Sequence, residues 1–375
     1  MKYIDEFRDG AAARGLARQM ATEVRPDRDY RLMEFCGGHT HAIYRYGVQD
    51  LLPAGIRMIH GPGCPVCVLP VGRLDMALDL ATRPNVTLCS YGDMLRVPGS
   101  GGQSLLRARA AGADIRMIYS AVEALELARR HPEREVVFFA IGFETTTPPT
   151  ALVIQQAAAL DLPNFSVFCN HVLTPPAIVH LLDSPEAREV GAVAIDGFLG
   201  PAHVSVVIGT RPYEPFASGY QKPVVISGFE PLDVMQSILM LVRQLNAGRA
   251  EVENQYTRAV TRDGNIKAQR LMAEILEPRP VFEWRGLGQV PRSALQIREP
   301  YARFDAERRF ALEPRAAPDH RACQCGAVLR GAIKPTDCKV FGTACTPETP
   351  LGACMVSAEG ACAAYYSYGR YQEAA

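Results

Sequence analysis

The segment 33–46, MEFCGGHTHAIYRY, places one thiol and two imidazoles within a few residues. Cys36 ends an apolar run, two glycines follow it, and His39 and His41 come within five residues of the thiol. Thiolates and imidazoles bind iron and zinc, and a Cys-Gly-Gly turn lets the backbone approach a ligand closely. In the structural alternative, His41 caps a helix and His39 hydrogen-bonds the backbone. The pattern favours a functional role for Cys36 and leaves both histidines open.

A second thiol motif, HGPGCPVC, follows a short apolar run. Its glycines turn the chain, and Pro65 suits the first position of a helical turn. Cys64 then lies at or beside the N-cap, where free N–H groups favour a thiolate, and Cys67 is close enough to form a disulfide with it. Pro70 is expected to end this turn, with a new helix from Val71. A lone CxxC also fits half a zinc site, but the chain has no second CxxC, so a reactive dithiol is favoured.

Six cysteines crowd the end of the chain. They are Cys323, Cys325, Cys338, Cys345, Cys354 and Cys362. Free thiols at this density would be prone to oxidation, so a metal centre is predicted. Four thiolates can hold a [4Fe–4S] cluster or zinc. Because the spacing matches neither common ferredoxin pattern, it favours the cluster only slightly.

Three further loops place reactive side chains after apolar runs. The loops GFETTTPPT, CNHVLTPP and DGFLGPAHVS contain Glu144, His171 and His203. The threonines of the first loop are equally expected from helix N-capping. The glycine run PGSGGQS lacks the ending of a phosphate-binding loop, so no nucleotide site is predicted. Cys89 and Cys169 lie in apolar runs and are expected to be buried hydrophobic side chains.

The composition is that of a globular protein. The 375 residues suit two or three domains, and 48% are hydrophobic against 21% charged. Forty basic residues balance forty acidic ones, which argues against nucleic acid as a partner. The start MKYIDEFRDG lacks the features of a signal peptide, and no apolar run approaches the roughly 20 residues of a membrane span. A cytoplasmic location without a membrane partner is expected, and there a framework of structural disulfides is unusual.

Short apolar runs alternate with helical patterns through the middle of the chain, which is typical of parallel βα units. Right-handed crossovers place the loops that follow the strands at one edge of a sheet. The predicted fold class is α/β, with two doubly wound parallel-sheet domains and a smaller, mostly helical and loop-rich Fe–S domain. The expected segments are 36–115 with 225–250 (carrying Cys36 and the Cys64/Cys67 pair), 116–224, and 1–35 with 251–375. One strand is expected at 190–196.

The motifs EFCGGHTHAIYRYG, HGPGCPVCV, GFETTTP, GFLGPAHVS and the cysteine-rich tail together resemble the HypD family of [NiFe]-hydrogenase maturation factors. The resemblance covers nearly the full chain. It implies a scaffold on which the Fe(CN)₂CO group of the hydrogenase is built, with redox activity but no ordinary turnover. It also implies a HypC-type small chaperone and a HypE-type cyanide donor as partners, and indirectly the hydrogenase large subunit.

Residue by residue, the resemblance implies that Cys36 holds the iron together with a cysteine of the chaperone, and that Cys64 and Cys67 are the redox pair near it. The family spacing of fourteen, six and sixteen intervening residues implies that the [4Fe–4S] ligands are Cys323, Cys338, Cys345 and Cys362. Cys325 and Cys354 then remain as a second dithiol, much as in ferredoxin–thioredoxin reductase. The candidates to surround the iron are His39, His41, Glu144, His171 and His203.

The alternative is an Fe–S-dependent thiol–disulfide oxidoreductase that acts on other proteins. Such an enzyme does not need Cys36 with its GGHTH sequence, whereas an iron scaffold does. In either case electrons are expected to enter through the cluster and to reach Cys64 and Cys67 by thiol exchange. A zinc hydrolase is disfavoured because the chain has no HExxH or similar ligand set.

Overall fold

The computed structural model describes residues 4–183 and 195–369. Within these ranges nine parallel strands form two sheets, which confirms the predicted α/β class with two parallel sheets. The strands are β1 (Tyr30–Glu34), β2 (Ile56–His60), β3 (Val86–Ser90), β4 (Ile115–Met117), β5 (Glu135–Gly142), β6 (Phe165–His171), β7 (Gly197–Pro201), β8 (Val224–Ser227) and β9 (Val252–Asn254). Sheet A has the order β2-β1-β7-β8-β9, and sheet B has the order β4-β3-β5-β6.

Four shorter strands and the helices complete the described architecture. The strands β10 (Leu276–Pro278) and β13 (Leu295–Ile297) pair antiparallel, as do β11 (Val281–Trp284) and β12 (Gly288–Pro291). The α-helices are Gly10–Glu23, Gly37–Arg45, Val48–Leu51, Pro65–Val68, Val71–Ala81, Leu105–Ala110, Ala121–Arg130, Thr147–Ala159, Thr174–Asp183, Ala202–Ile208, Glu214–Ser218, Pro231–Asn246, Ile266–Ile275, Ala306–Arg309, Cys325–Leu329 and Ala361–Ala364. None of these helices is both long and apolar enough to cross a membrane.

The central strands are buried on both faces, which explains their continuous apolar sequences. Every residue of β3, β6, β7 and β8 is buried. Helices on both sides of a parallel sheet exclude water from it, so such strands lack polar alternation. Cys89 in β3 and Cys169 in β6 belong to this core, as expected.

The strand pairing differs from the expected division of the chain. Strands β3 and β4 join β5 and β6 in sheet B, whereas β7 pairs with β1 and β8 in sheet A. Segment 36–115 therefore contributes strands to both sheets, and segment 116–224 does too. The chain leaves sheet A after β2, builds sheet B and returns at β7. Local apolar patterns predict that a strand exists but not which strand it pairs with.

Two smaller expectations also change. The strand expected at 190–196 lies mostly outside the described residues, and β7 instead occupies the GFLGP sequence that was expected to be a loop. Phe198 and Leu199 are fully buried there, and Gly200 packs so closely on Ile226 that an added Cβ would force the end of the Ile226 side chain to move. The helix Gly10–Glu23 packs on the helix Pro231–Asn246 of sheet A rather than forming a unit with the tail.

Each sheet has a point where neighbouring strands send their crossovers in opposite directions. In sheet A this point lies between β1, which leads to β2 on one side, and β7, which leads to β8 on the other. In sheet B it lies between β3 and β5. Doubly wound folds bind ligands beyond the carboxyl ends of the strands at such points. Cys36 follows β1, His203 follows β7 and Glu144 follows β5, so the topology brings predicted site residues to these positions.

Candidate functional site

Cys36 lies in a tight turn between β1 and the helix Gly37–Arg45. It is the N-cap residue of that helix, and its Sγ accepts a hydrogen bond from the Gly38 N–H at 3.3 Å. A side chain on Gly37 would overlap Glu359, and one on Gly63 would overlap the backbone of Cys36. These glycines therefore let neighbouring loops touch, whereas the sequence suggested close approach of a ligand.

A buried carboxylate holds this turn in place. Glu34 is completely buried, and its Oε2 accepts the Cys36 N–H at 2.8 Å. Its Oε1 accepts from Thr40 Oγ1 and from His60 Nδ1, the latter at 2.8 Å. Since His60 Nδ1 donates, its Nε2 can accept the Tyr44 hydroxyl at 2.7 Å. Sequence reasoning missed this network, although a charged residue inside the apolar run of β1 is a signal for a buried, hydrogen-bonded carboxylate.

His203 faces the Cys36 thiol across the switch point of sheet A. Its ring nitrogens lie 3.6 and 3.7 Å from Cys36 Sγ. Phe229, which follows β8, lies between two imidazoles, with ring centroids 5.0 Å from His203 and 4.8 Å from His39. Burial lowers the pKa of His203 to about 4 and also lowers the pKa of His39. Both rings are therefore neutral at physiological pH and have nitrogen lone pairs.

The imidazoles of His39 and His41 both contact backbone carbonyls. His39 Nε2 donates to the carbonyls of Ser227 and Gly228 at 3.1 and 3.0 Å. The opposite nitrogen, His39 Nδ1, is buried and has no hydrogen-bond partner in the described part of the chain. His41 Nδ1 lies 3.2 Å from the Ala358 carbonyl in the tail. The backbone hydrogen bond that was the structural alternative for His39 is thus present, while its other nitrogen stays available.

The Cys36 thiol is held in its protonated form in the absence of a cation. Burial raises the pKa of Cys36 well above its usual value, and the carboxylates of Glu359 and Glu34 raise it further. Hydrogen bonds from the Gly38 and His39 amides lower it only in part. A cation that binds this sulfur must therefore displace its proton.

Cys64 and Cys67 form a disulfide beside the Cys36 turn. Cys64 is the N-cap of the helix Pro65–Val68, with Pro65 at the first position, as predicted, and both cysteines are buried. The short helix packs against the turn Ala353–Met355, which contains a tail cysteine. The CxxC motif therefore lies between the Cys36 turn and the cysteine-rich tail.

Glu144 and His171 occupy the corresponding edge of sheet B, where each has its own partner. The Glu144 carboxylate accepts the Thr174 N–H at 2.8 Å and its hydroxyl at 3.0 Å. Burial raises the pKa of Glu144 to about 7. His171 Nε2 lies 2.8 Å from Thr150 Oγ1, and burial lowers the pKa of His171 to about 4. In residues 4–183 and 195–369 neither side chain makes a hydrogen bond to Cys36.

Tyr213 is a fully buried tyrosine that was not predicted as a site residue. Its hydroxyl is fully buried and receives a hydrogen bond from Ser205 at 3.4 Å. Burial raises the pKa of Tyr213, and the charge of the Glu144 carboxylate raises it further. The phenol is therefore within electrostatic range of Glu144. No spacing in the sequence signals this role.

The six tail cysteines are free thiols gathered at one place. A small cavity is lined by five of them: Cys323, Cys325, Cys338, Cys345 and Cys362. The thiol of Cys325 interacts with those of Cys323, Cys354 and Cys362. A side chain on Gly352 would overlap the Cys323 sulfur, so glycine is needed to leave room in the cavity.

The chemistry of this cavity fits an iron–sulfur cluster. The donors are all thiols, and backbone N–H groups of Leu351 and Cys325 point to the sulfurs of Cys345 and Cys323 at 3.3 and 3.4 Å. Such hydrogen bonds are among the features that tune cluster potentials. No three His, Cys, Asp or Glu side chains in the described ranges are arranged to hold a single metal ion. The thiols that line this shared cavity are the donor type that an iron–sulfur cluster takes.

The fold and the two groups of thiols define a cysteine-rich α/β protein in which Cys36 lies at the switch point of a parallel sheet. The family model HypD, described as "Hydrogenase formation hypA family", matches residues 11–369. The chain belongs to the HypD family of hydrogenase maturation factors.

Curated relatives match over their full length. The chain is 67% identical over 373 residues to "Hydrogenase maturation factor HypD" of Cupriavidus necator, with 100% of this chain and 98% of the relative covered. It is 68% identical over 375 residues to "Hydrogenase expression/formation protein HupD" of Azotobacter chroococcum, covering 100% and 99%. It is 47% identical over 378 residues to "Hydrogenase maturation factor HypD" of Escherichia coli, covering 100% and 99%.

Proposed function

We propose that this hydrogenase maturation factor is the scaffold on which the Fe(CN)₂CO group of [NiFe]-hydrogenase is assembled. The observation that carries the proposal is the convergence of Cys36 and His203 at the switch point of sheet A, 3.6 Å apart. A thiolate is a soft ligand that suits a low-valent iron carrying cyanide and CO. Neutral imidazoles beside it leave the site free of competing positive charge.

In this proposal the iron unit is cargo and Cys36 is its ligand from this chain. Binding releases the thiol proton, since burial keeps the free thiol protonated. A cysteine of a HypC-type small chaperone supplies a second thiolate, and a HypE-type protein delivers cyanide. The hydrogenase large subunit receives the group indirectly. Glu34 fixes the turn through the Cys36 N–H, so the sulfur is oriented before iron arrives.

The tail cysteines hold a [4Fe–4S] cluster in this proposal. Cys323, Cys338, Cys345 and Cys362 are the ligands, and the cluster supplies one-electron redox chemistry when bound. Cys325 and Cys354 then form a second dithiol. The contact between the CxxC helix and the turn Ala353–Met355 supports thiol exchange between the two pairs. Normal hydrogenase maturation by Cys325→Ala and Cys354→Ala variants would overturn this electron path.

The scaffold itself is tested by infrared spectroscopy of protein purified without oxygen together with the small chaperone. Bands of metal-bound CO and cyanide are expected between about 1,900 and 2,150 cm⁻¹. Cys36→Ala should abolish the bands while iron and sulfide analysis still finds the cluster. Cys89→Ala, a buried core cysteine in β3, is the matched control and should keep both. Bands that persist in Cys36→Ala would place the iron elsewhere.

The Cys64–Cys67 disulfide favours one second candidate, a thiol–disulfide oxidoreductase that acts on other proteins. Reduction of a protein disulfide by the native chain and equally by Cys36→Ala, with no CO or cyanide bands in either, would support that reading. Loss of maturation in Cys36→Ala with intact thiol exchange would favour the scaffold.

A further inference from the structure

A groove of about 1130 Å³ opens next to the cysteine cavity. It lies between the glycine-rich loop 98–102 and the segments 318–322 and 348–351, and we call it the basic groove. Ala322 and Leu351 line it and directly precede Cys323 and Gly352, which line the cavity. The Leu351 N–H also donates to Cys345 Sγ. One wall of the basic groove is therefore a wall of the cysteine cavity.

The basic groove is locally positive in a chain whose net charge is zero. Its lining has four guanidinium groups and two carboxylates, which are Arg96, Arg107, Arg285, Arg321, Asp319 and Glu348. Arg285 is neutralised by Asp319. Arg96, Arg107 and Arg321 are exposed and make no ion pair in residues 4–183 and 195–369. Leu106, which is 48% exposed, adds an apolar contact to the same lining.

A phosphate ligand fits this groove poorly, although the glycine-rich loop suggests one. Gly101 and Gly102 have positive φ angles of 62° and 72°, a conformation seen in anion-binding loops. The Ser100 N–H and hydroxyl, however, already donate to the Asp75 carboxylate at 2.9 and 2.6 Å. A carboxylate thus occupies the donors and repels a small anion.

We propose that the basic groove is the docking surface of an acidic one-electron donor protein that reduces the tail cluster. This inference rests on the cluster of the proposed function. One electron passes from the reduced donor to the cluster, the donor is oxidised by one electron, and no atom is transferred. Electron transfer slows steeply with distance. Because the basic groove shares a wall with the cysteine cavity, a donor protein docked in the groove would lie close to the cluster. Exposed arginines that make no ion pair within the described ranges accelerate encounter with an acidic partner, and small interfaces are usual in such transient complexes.

The test uses the cluster-loaded protein and a reduced acidic [2Fe–2S] ferredoxin as the probe, followed by stopped-flow absorbance. The double variant Arg107→Glu/Arg321→Glu is expected to lower the second-order rate constant by about tenfold or more at low salt. Its rate should also lose most of its dependence on ionic strength. Calorimetric binding of the oxidised ferredoxin should weaken in parallel, which a defect in the cluster alone would not cause.

Arg109→Glu is the matched control, because Arg109 is exposed on the same short helix as Arg107 but does not line the groove. Dithionite should reduce the cluster equally in all forms. Equal ferredoxin rates in the groove variant and the Arg109 control would overturn the inference. Inhibition by inorganic phosphate beyond that of chloride at equal ionic strength would also overturn it, in favour of a small-anion site.

Cluster loading separates this inference from the function on which it rests. Absence of cluster iron and sulfide from the native protein would refute the proposed cluster itself. Arg321 lies only two residues before Cys323, so Arg321→Glu could prevent cluster loading. In that case the ferredoxin rate constant of the single variant Arg107→Glu decides the outcome. An unchanged rate in that single variant then counts against the groove.

Discussion

The two thiol sites of this protein are built in different ways. Cys36 lies at the end of a buried strand, and Glu34, Gly38 and Gly63 fix its turn through contacts that need no metal. The tail cysteines lie on short helices and turns such as Cys325–Leu329 and Ala353–Met355. Segments this short gain little stability from their own hydrogen bonds. The sheet thus organises the first site in advance, whereas the order of the second site would come from the proposed cluster that its thiols hold.

The strongest test of this difference removes one tail ligand. Cys338→Ser should abolish binding of the proposed cluster and make the tail sensitive to limited proteolysis, because a tail with few regular elements would rely on that cluster for order. The two sheets should remain folded. Iron and sulfide analysis with peptide mapping measures both effects, and Cys89→Ala is the control. Full cluster content in Cys338→Ser would show that this residue is not a ligand.

Glycine substitutions sharpen the comparison with one chemical change at each site. Gly63→Ala places a methyl group against the Cys36 backbone and should lower the free energy of unfolding by about 3 kcal/mol. Gly352→Ala meets thiol side chains, so it should cost less stability but reduce cluster loading.

Gly15→Ala is the control for both substitutions. Gly15 is in the helix Gly10–Glu23 with open space around it, so alanine should stabilise the protein by about 1 kcal/mol. Thermal unfolding and iron analysis give the two readouts. Equal destabilisation by Gly63→Ala and Gly352→Ala would show that the Cys36 turn is no more rigid than the tail site.

Glu144 gives a pH-dependent test of the edge of sheet B. Its folded pKa of about 7 lies above the ordinary 4.5, so the folded protein binds more protons and its stability falls as pH rises through this window. The native protein should therefore lose free energy of unfolding relative to Glu144→Gln as pH rises. Between pH 5 and pH 7.5 the difference between the two proteins should shift by about 2 kcal/mol in favour of Glu144→Gln.

Denaturant titration of both proteins at the two pH values measures the gain. Burial lowers the pKa of His171 from 6.5 to about 4, so between pH 4 and 6.5 this residue makes the stability of the folded protein rise with pH. This effect cancels in the comparison because His171 is present in both proteins. A difference that does not change with pH would show that Glu144 is ionised throughout.

The smallest expected effect concerns the CxxC disulfide. It joins residues only three positions apart, so it restricts the unfolded chain little and should contribute less than about 2 kcal/mol. Cys64→Ser should therefore shift thermal unfolding by only a few degrees, while thiol exchange is lost. Collapse of the fold in this variant would indicate a structural rather than a redox role.

The sequence predicts local features of this protein well. The CxxC turn with its helix start at Pro65, the buried strands carrying Cys89 and Cys169, and the α/β class all follow from patterns over a few residues. These features depend on short-range rules, namely helix capping, periodicity and burial of apolar runs. The motif cysteines and their grouping at the two ends of the chain are also visible without a structure.

Only the tertiary structure decides which of these segments meet. The sequence alone did not place β7 beside β1, and that pairing brings His203 to Cys36 across 166 intervening residues that include all of sheet B. Nor did it reveal that Glu34 fixes the Cys36 turn or that Tyr213 is buried within electrostatic range of Glu144. Strand partners are selected by the packing of the whole core, and a polar contact between distant segments leaves no periodic signal in either of them.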